Sequence, residues 1–314
     1  MAVYTTISHT DAQELFKSLG EIAKLEGIKE GVENTNYLVH LNDSKKYILT
    51  LFEKRTKETD LPYFNNLMGL FNKNGVNCPL SISIKNKNLF KIKEKPCCIY
   101  TFVKGRPISS SNKEQLNSLG KSIAHLHQSG SSSNLYRKNM MLLPSWKHIT
   151  ESFSKSNPKI ISQEYEYIYE KINHLQDKFP LNLRQINIHA DLFKDNIFFL
   201  DNQVSGFIDF FFSCTDTVIY DLATFANAWF FEQNKFDEYN YINFLKSYQH
   251  NFELTIEEKD NFNFYLKVSA IRFFLTRLYD LHFNYEGNVK HKNPIEFFEI
   301  FKFHEENNIQ DFFD

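Results

Sequence analysis

Hydrophobic and polar positions follow two different periods along this chain. In its first third, short apolar runs alternate with polar turns, a pattern that is typical of strands. Strands are predicted over 28–41, 46–52 and 80–104, with polar turns at 33–36 and 42–44 and an interruption at Lys95-Pro96. Two helices are predicted in the same third, over 8–25 and over 60–74, the second with Pro62 in its first turn and Gly75 after its end.

From residue 111 onward, apolar residues recur at intervals of three and four, as on one face of a helix. Helices are predicted from 111 and over 160–179, 221–231, 241–252, 262–283 and 294–304. This order predicts an α+β fold of two lobes, a β-rich N-terminal lobe (1–103) and a mainly helical C-terminal lobe (104–314), joined by a hinge near 101–105. A length of 314 residues suits two lobes better than one.

The strongest chemical pattern lies between residues 185 and 212, where polar side chains end very hydrophobic strands. Asp and Asn often do no more than form turns after strands, and a single such residue would indicate only a turn. Here a His-x-Asp run ends at Asp191, Asn196 follows five residues later, and Asp209 ends the next hairpin. This spacing is that of a kinase catalytic loop and its metal-binding aspartate.

The kinase spacing gives each polar residue a predicted role. Phosphoryl transfer to an alcohol needs a carboxylate near the attacking hydroxyl and oxygen ligands that hold Mg²⁺ across the phosphates. Asp191 is therefore the predicted base, and Asn196 and Asp209 are the predicted metal ligands. His189 is expected to brace the loop rather than to react, and Asp221 is expected to support it from the start of a helix.

Composition and charge narrow the possible partners. The content of 42% hydrophobic and 24% charged residues is ordinary for a soluble protein, and a net charge of −2 indicates neither nucleic acid nor an anionic membrane as a partner. The N-terminus has no basic segment followed by an apolar run, and no stretch is apolar enough to span a membrane, so a cytoplasmic location is expected. The cysteines form no C-x-x-C pair, and buried free thiols are predicted.

The nucleotide loop is less distinctive, because the chain contains neither G-x-x-x-x-G-K-[ST] nor G-x-G-x-x-G. The candidate is the polar segment 30–37 between two predicted strands, with Asn34, Thr35 and Asn36 as the side chains nearest the phosphates. Such a turn can cover phosphates through backbone N–H groups and side-chain donors. Taken alone, it is more simply interpreted as a hairpin turn.

Several blocks of sequence together resemble the type II homoserine kinases, which have the aminoglycoside-phosphotransferase-like and protein-kinase-like fold. The blocks are Glu30-Gly-Val-Glu-Asn-Thr-Asn-Tyr-Leu38, Tyr47-Ile-Leu-Thr-Leu-Phe-Glu-Lys-Arg55, Asp60-Leu-Pro-Tyr-Phe64, His189-Ala-Asp-Leu-Phe-Lys-Asp-Asn196, Ile208-Asp-Phe210, Tyr220-Asp-Leu-Ala223, Asn227-Ala-Trp229 and Arg272-Phe-Phe-Leu-Thr-Arg-Leu-Tyr-Asp280. The His-Ala-Asp block is typical of the superfamily, and the N-terminal blocks and the last block narrow the resemblance to this branch. It spans nearly the whole chain.

The resemblance implies ATP- and Mg²⁺-dependent phosphorylation of the side-chain hydroxyl of L-homoserine, a step toward threonine, with small molecules as the partners. Adenine would bond to the hinge backbone near Thr101 and Val103. One position departs from the wider superfamily, whose strand after the nucleotide loop carries a Lys or Arg that contacts the phosphates. Thr50 occupies that position here, so either Lys54 or Arg55 contacts the phosphates instead, or the phosphates are held without such a residue.

Homoserine is a zwitterion, so its site needs a donor for the carboxylate and an acceptor for the ammonium. Arg272, Arg277 and Asp280, in one apolar helical segment, are the candidates by charge. An arginine among apolar neighbours needs an anion, which could instead be an internal carboxylate. Two alternatives stay open from the sequence: a kinase of the same fold for another small alcohol (choline, ethanolamine, an aminoglycoside or methylthioribose), and an inactive binding module.

Overall fold

The computed structural model describes residues 5–28, 34–53, 55–156, 162–283, 292–309 and 313. The chain forms two compact units. The first contains the described residues up to Gly105 together with Ser205–Phe211, and the second contains Arg106–Val204 and the described residues from 212 onward. The first is built on an antiparallel sheet and the second mainly on helices, which confirms the predicted α+β class.

The described part of the chain contains the following strands and helices. The strands are β1 (Ile22–Gly27), β2 (Thr35–Leu41), β3 (Lys46–Leu51), β4 (Phe90–Ile92), β5 (Lys95–Thr101), β6 (Gln185–Ile188), β7 (Ile197–Leu200), β8 (Gln203–Phe207), β9 (Cys214–Thr217), β10 (Phe231–Glu232) and β11 (Lys235–Phe236). The helices are α1 (His9–Phe16), α2 (Leu61–Lys73), α3 (Lys113–Ser131), α4 (Leu143–Ser156), α5 (Ser162–Leu175), α6 (Val218–Trp229), α7 (Glu238–Asn251), α8 (Ile256–Asp260), α9 (Phe262–Phe283) and α10 (Ile295–Glu306).

The sheet of the first unit has the strand order β1-β2-β3-β5-β4, with every neighbouring pair antiparallel. Along β2, buried positions alternate with half-buried ones, so Tyr37, Val39 and Leu41 point into one core. Helix α1 closes that core with Phe16, which is fully buried in the same cluster. Ser8 fixes the start of α1 through a reciprocal capping box with Asp11.

The second unit is organised around α6, which is buried along nearly its whole length. Helix α9 packs against α6, and α3 packs against both α7 and β6. The approach of α3 to β6 is very close, because a Cβ atom added to Gly130 would lie 2.0 Å from the carbonyl oxygen of Asn187. These contacts fix β6, and therefore the loop that follows it.

The first helix is shorter than predicted. The sequence predicted a helix over 8–25, but α1 ends at Phe16 and residues 22–27 form β1. Gly20 adopts a φ of 144°, which lets the chain turn sharply between the two elements. Pairing of β1 with β2 supplies long-range hydrogen bonds that outweigh the local helical pattern.

The predicted interruption at Lys95-Pro96 was also wrong, since both residues lie in β5. The turn falls at Lys93 and Glu94, which have φ angles of 49° and 62°. Pro96 still offers its carbonyl, which accepts a hydrogen bond from Phe52 N at 2.9 Å. At this position, the proline removes only one backbone N–H donor from the sheet.

Other expectations had mixed outcomes. Helix α4 was not predicted, whereas α2 and α9 lie within one residue of their predicted bounds. The turn at 42–44 is present, but the predicted turn at 33–36 was wrong for Thr35 and Asn36, which lie in β2 and pair with β3; residue 33 lies outside the described residues. All four cysteines are buried and free, as predicted. No helix in the described part of the chain is long and apolar enough to cross a membrane.

Candidate active site

The loop between β6 and β7 carries the candidate catalytic residues. Strand β6 pairs with β9 and ends at Ile188, and the chain then enters a tight turn at His189, which is fully buried. Ala190 has a φ of 64°, a conformation that residues other than glycine adopt rarely and at a cost. A turn of this kind persists only when its surroundings hold the backbone in place.

Asp221 supplies much of that support. Its two carboxylate oxygens accept hydrogen bonds from His189 N at 2.9 Å and from Ala190 N at 2.8 Å. The carboxylate is fully buried, and a buried charge must be paired or hydrogen-bonded to be tolerated. His127 Nε2 lies 3.2 Å from Asp221 Oδ2, and His127 Nδ1 lies 2.8 Å from the hydroxyl of Tyr248. Asp221 therefore contacts the turn that it was predicted to support, and its role in catalysis stays a prediction.

Asp191 is held by two polar side chains of its own loop. Asn196 Nδ2 donates to Asp191 O at 2.8 Å and to Asp191 Oδ2 at 2.9 Å. His189 Nδ1 accepts from Asp191 N at 3.2 Å. The side chain of Asp191 is still 15% exposed, so its carboxylate is oriented without being sealed from a ligand.

Arg272 reaches the same loop from α9. Its guanidinium donates to the carbonyl of Ala190 and, at 2.9 Å, to the Tyr220 hydroxyl, and Nη2 lies 3.8 Å from Asp191 Oδ1. Burial lowers the pKa of Arg272, but Tyr220 and Asp191 outweigh burial, so the pKa lies above its ordinary value. Arg272 is therefore a buried, permanently charged neighbour of Asp191, which matches the alternative that its anion is internal. Its role in substrate binding stays a prediction.

Arg277 and Asp280 lie further along α9. Arg277 Nη1 donates to Glu296 Oε2 at 2.6 Å and to Asn293 O at 2.9 Å, and the guanidinium covers the ring of Phe297 at 4.4 Å. It lines a cavity of about 330 Å³ within the second unit. Asp280 is half-buried in the last turns of the helix. Their predicted contacts with the substrate stay predictions.

The first residues of β2, together with Asn34 just before them, form the described part of the predicted nucleotide loop. Thr35 Oγ1 donates to Glu53 Oε1 at 2.7 Å, and Thr50 Oγ1 donates to Asn36 Oδ1 at 2.7 Å. Asn34 is 5% exposed, and its Oδ1 atom has no hydrogen-bond partner in the described residues. Thr50 in β3 and Glu53 just after it therefore fix the side chains of Asn36 and Thr35. The buried Oδ1 atom of Asn34 is an acceptor that could bind a ligand.

Other predicted nucleotide and metal residues also belong to the first unit. Thr101 ends β5, where its Oγ1 accepts from Leu80 N at 2.9 Å, and Val103 is buried beside Gly206. Asp209, a predicted metal ligand, has a φ of 63°. Lys54, the predicted substitute for the phosphate-binding lysine, lies outside the described residues.

Two polar contacts escaped sequence reasoning. Lys95 Nζ lies 3.1 Å from Glu53 Oε2, so a lysine of β5 pairs with the carboxylate that also holds Thr35. His127 of α3 contacts Asp221, a pairing that the sequence did not predict. Its position among apolar residues of a predicted helix was a signal of burial, but its partner is distant in sequence.

One side chain of the loop, the amide of Asn196, is of a type that Mg²⁺ accepts as a ligand, and its role as a ligand stays a prediction. Among the described residues, no three His, Cys, Asp or Glu side chains form a group that could hold a metal ion. The predicted set does not require such a group, because it combines one carboxylate, one amide oxygen and the phosphates of ATP. Asn196 directs its Nδ2 to Asp191, which leaves Oδ1 as the atom for a hard cation.

Comparison with known proteins identifies the class. The model of the phosphotransferase enzyme family known as APH matches residues 24–253, which is most of the chain. The chain belongs to this phosphotransferase family and is therefore an enzyme. The family match contains the Asp191 loop and Asp221.

Curated relatives that match nearly the whole chain carry a more specific name than the family. The chain is 36% identical over 312 residues to the homoserine kinase of Brucella anthropi, with 97% of this chain and 94% of that protein covered. It is 35% identical to the homoserine kinase of Sinorhizobium fredii, with the same coverage of both chains. These matches agree with the family that the sequence resembled.

Solved structures agree on the fold. An amicoumacin kinase in complex with AMP-PNP, Ca²⁺ and Ami has a TM-score of 0.72 at 16% identity, covering 96% of this chain and 94% of that one. A choline kinase from Streptococcus pneumoniae has a TM-score of 0.70 at 18% identity, covering 96% and 100%. At such low identity, these likenesses show the kinase-like fold alone.

Proposed function

We propose that this phosphotransferase is an ATP-dependent homoserine kinase, which transfers the γ-phosphoryl group of ATP to the side-chain hydroxyl of L-homoserine and forms O-phospho-L-homoserine. The observation that carries the proposal is the similarity to proteins named homoserine kinase, at 35–36% identity over 97% of this chain. The amicoumacin and choline kinases resemble it at only 16–18% identity, which supports no choice of acceptor.

In the proposed mechanism, Asp191 orients the acceptor hydroxyl and accepts its proton as the oxygen attacks the γ-phosphorus. Asn196, at 2.9 Å, and the guanidinium of Arg272, at 3.8 Å, keep the carboxylate in one orientation. Phosphoryl transfer depends mainly on positioning and charge neutralisation, so a fixed carboxylate matters more than a strong base. Asp221 maintains the turn that presents Asp191.

Asn196 and Asp209 are the proposed ligands of Mg²⁺, which when bound offsets the negative charge of the phosphates. The remaining oxygen of the Asn196 amide suits this role, since its nitrogen is engaged by Asp191. The polar segment Asn34-Thr35-Asn36, Lys54 and the backbone near Thr101 and Val103 are the proposed contacts to ATP.

The test is ATP consumption by the purified protein with Mg²⁺, comparing L-homoserine with choline, an aminoglycoside and no acceptor. We expect turnover with homoserine, and in the Asp191→Asn variant a loss of kcat of about 100- to 10,000-fold, the usual contribution of general-base catalysis. Turnover with choline or the aminoglycoside but not with homoserine would overturn the proposed acceptor and keep the family chemistry.

A further inference from the structure

A cavity of about 330 Å³ opens beside the catalytic loop, within the second unit. Phe193 and Phe297 provide apolar wall, and the described lining also includes five charged side chains from three segments of the chain: Lys194, Asp195, Arg277, Lys292 and Glu296. A cavity of this size matches the lower end of small-molecule sites, in which a few polar groups fix the orientation of the ligand.

Two ion pairs lie among the charged side chains of the described lining. Arg277 Nη1 lies 2.6 Å from Glu296 Oε2, and Lys292 Nζ lies 3.2 Å from Asp195 Oδ2, whereas Lys194 adds one further positive charge. Each of the two pairs is neutral by itself. A zwitterion can exchange with such a pair without leaving an uncompensated charge, whereas a ligand of net charge cannot.

The side chains of Arg277 and Glu296 differ in how firmly the surrounding residues hold them. The side chain of Arg277 is 10% exposed, lies on the ring of Phe297 and donates to the carbonyl of Asn293, so its guanidinium is fixed in the wall. The side chain of Glu296 is 56% exposed. Arg277 is therefore a preorganised anion site, and its present anion is an exposed side chain that can move at little cost.

The cavity is also close to the proposed base. Asp195 lies in the same loop as Asp191. The pKa of Arg277 lies below its ordinary value because of burial, and Glu296, Asp191 and Asp195 act in the opposite direction, so both loop carboxylates are within electrostatic reach.

We propose that this cavity recognises the amino-acid end of the acceptor, with Arg277 binding the α-carboxylate and Glu296 binding the α-ammonium. The inference rests on the proposed homoserine kinase activity and deepens it, since it assigns the residues that select an amino acid over other alcohols. Substrate carboxylate displaces Glu296 from Arg277, and Glu296 turns to the ammonium of the same molecule. A cationic amino alcohol leaves Arg277 without an anion, and a hydroxy acid leaves Glu296 without a cation.

The test pairs each variant with the substrate analogue that lacks the matching group. For Arg277→Gln, the analogue is 3-amino-1-propanol, which keeps the hydroxyl and ammonium and lacks the carboxylate. We expect kcat/KM for L-homoserine to fall by about 100-fold, as for the loss of one partner of a buried charge pair. The kcat/KM for 3-amino-1-propanol should change little. If turnover of 3-amino-1-propanol is too slow to measure, its inhibition constant against L-homoserine is compared between the variant and the wild type instead.

The reciprocal experiment uses Glu296→Gln with 4-hydroxybutyrate, which lacks the ammonium. This variant should lose activity on L-homoserine, mainly through a higher KM, and keep its wild-type behaviour toward 4-hydroxybutyrate. Because Glu296 is mostly exposed, this variant keeps the inference testable even if Arg277→Gln does not fold. The KM for ATP serves as an internal reference that substrate recognition should not alter.

Arg184→Gln is the matched control, because Arg184 forms a comparable ion pair with Glu258 at 2.8 Å elsewhere in the second unit. It should leave the preference for homoserine over both analogues unchanged. Equal losses on homoserine and the matching analogue would overturn the inference and make the pair merely structural. If the wild-type protein does not phosphorylate homoserine at all, the proposed function fails instead, so the two failures are distinguishable.

Discussion

At the scale of single residues, the candidate active site depends on a backbone conformation at Ala190 that alanine rarely adopts. Ala190 has a φ of 64°, and its N–H and that of His189 both donate to the buried carboxylate of Asp221. Charge-assisted hydrogen bonds of this kind are about twice as strong as neutral ones. Asp221 thus offsets the strain of the turn and sets the direction in which Asp191 leaves it.

The Asp221→Asn substitution tests this role. An asparagine keeps the shape but loses the charge, and its NH₂ group would face a backbone N–H or the ring of His127. We expect the free energy of unfolding to fall by about 3 kcal/mol, as when one member of a buried charge network is removed. We expect kcat to fall by about 100-fold through misplacement of Asp191. Denaturant unfolding and steady-state kinetics measure the two effects.

Asp260→Asn is the control, since Asp260 is exposed at the end of α8. It should change neither quantity measurably. Wild-type kcat in a stable Asp221→Asn protein would show that the carboxylate does not position the loop.

At the scale of elements, the loop that carries Asp191 is positioned by the packing of α3 on β6. Gly130 lies in α3, and an added Cβ would lie 2.0 Å from the carbonyl oxygen of Asn187 in β6. Only glycine allows this approach, because a contact of that length cannot be relieved without moving a backbone. The close packing places His127, one turn earlier in α3, against Asp221.

Gly130→Ala should therefore push α3 away from β6. We expect the free energy of unfolding to fall by about 3 kcal/mol, as for overpacking against a rigid backbone, together with a lower kcat. Gly69→Ala is the matched control, since Gly69 lies in α2 and an added Cβ meets nothing within 4 Å. That variant should be more stable than the wild type by about 0.5–1 kcal/mol, the difference between the two residues in a helix. Equal effects of the two substitutions would contradict the packing argument.

At the scale of the whole molecule, stability depends on neutral side chains buried between helices. His304, in α10, is fully buried, and its Nε2 lies 2.8 Å from Asn227 Oδ1 in α6. Burial, with a smaller contribution from Lys267, lowers the pKa of His304 from 6.5 to about 3. The unfolded chain therefore binds a proton between these two pH values that the folded chain does not.

This linkage predicts acid sensitivity. Because the folded-state pKa is depressed, the contribution of His304 is fully present above pH 6.5 and is lost as the pH falls toward 3. Between pH 7 and pH 5 the loss amounts to about 2 kcal/mol. A His304→Gln variant should be less stable at pH 7 and should show a shallower decline below it, measured by denaturant unfolding at each pH. A decline as steep as that of the wild-type protein would contradict the assignment.

Much of the fold follows from local sequence. Helix α2 was predicted over 60–74 and is observed at Leu61–Lys73, because a proline at its start and a glycine after its end act locally. The spacing of Asp191, Asn196 and Asp209, which predicts the catalytic motif, is likewise a local property of the sequence. These residues belong to one short segment, and the turns of that segment depend on its own residue types.

Tertiary structure alone decided the rest. Residues 22–25 carry a helical pattern but form β1, because pairing with β2 outweighs a weak local preference. Arg272 and Arg277 look alike in sequence, yet the first contacts Ala190 and Asp191 and the second faces a cavity with Glu296. The sequence determined which charges the protein carries, and only long-range packing determined the partner of each, since those partners lie far apart along the chain.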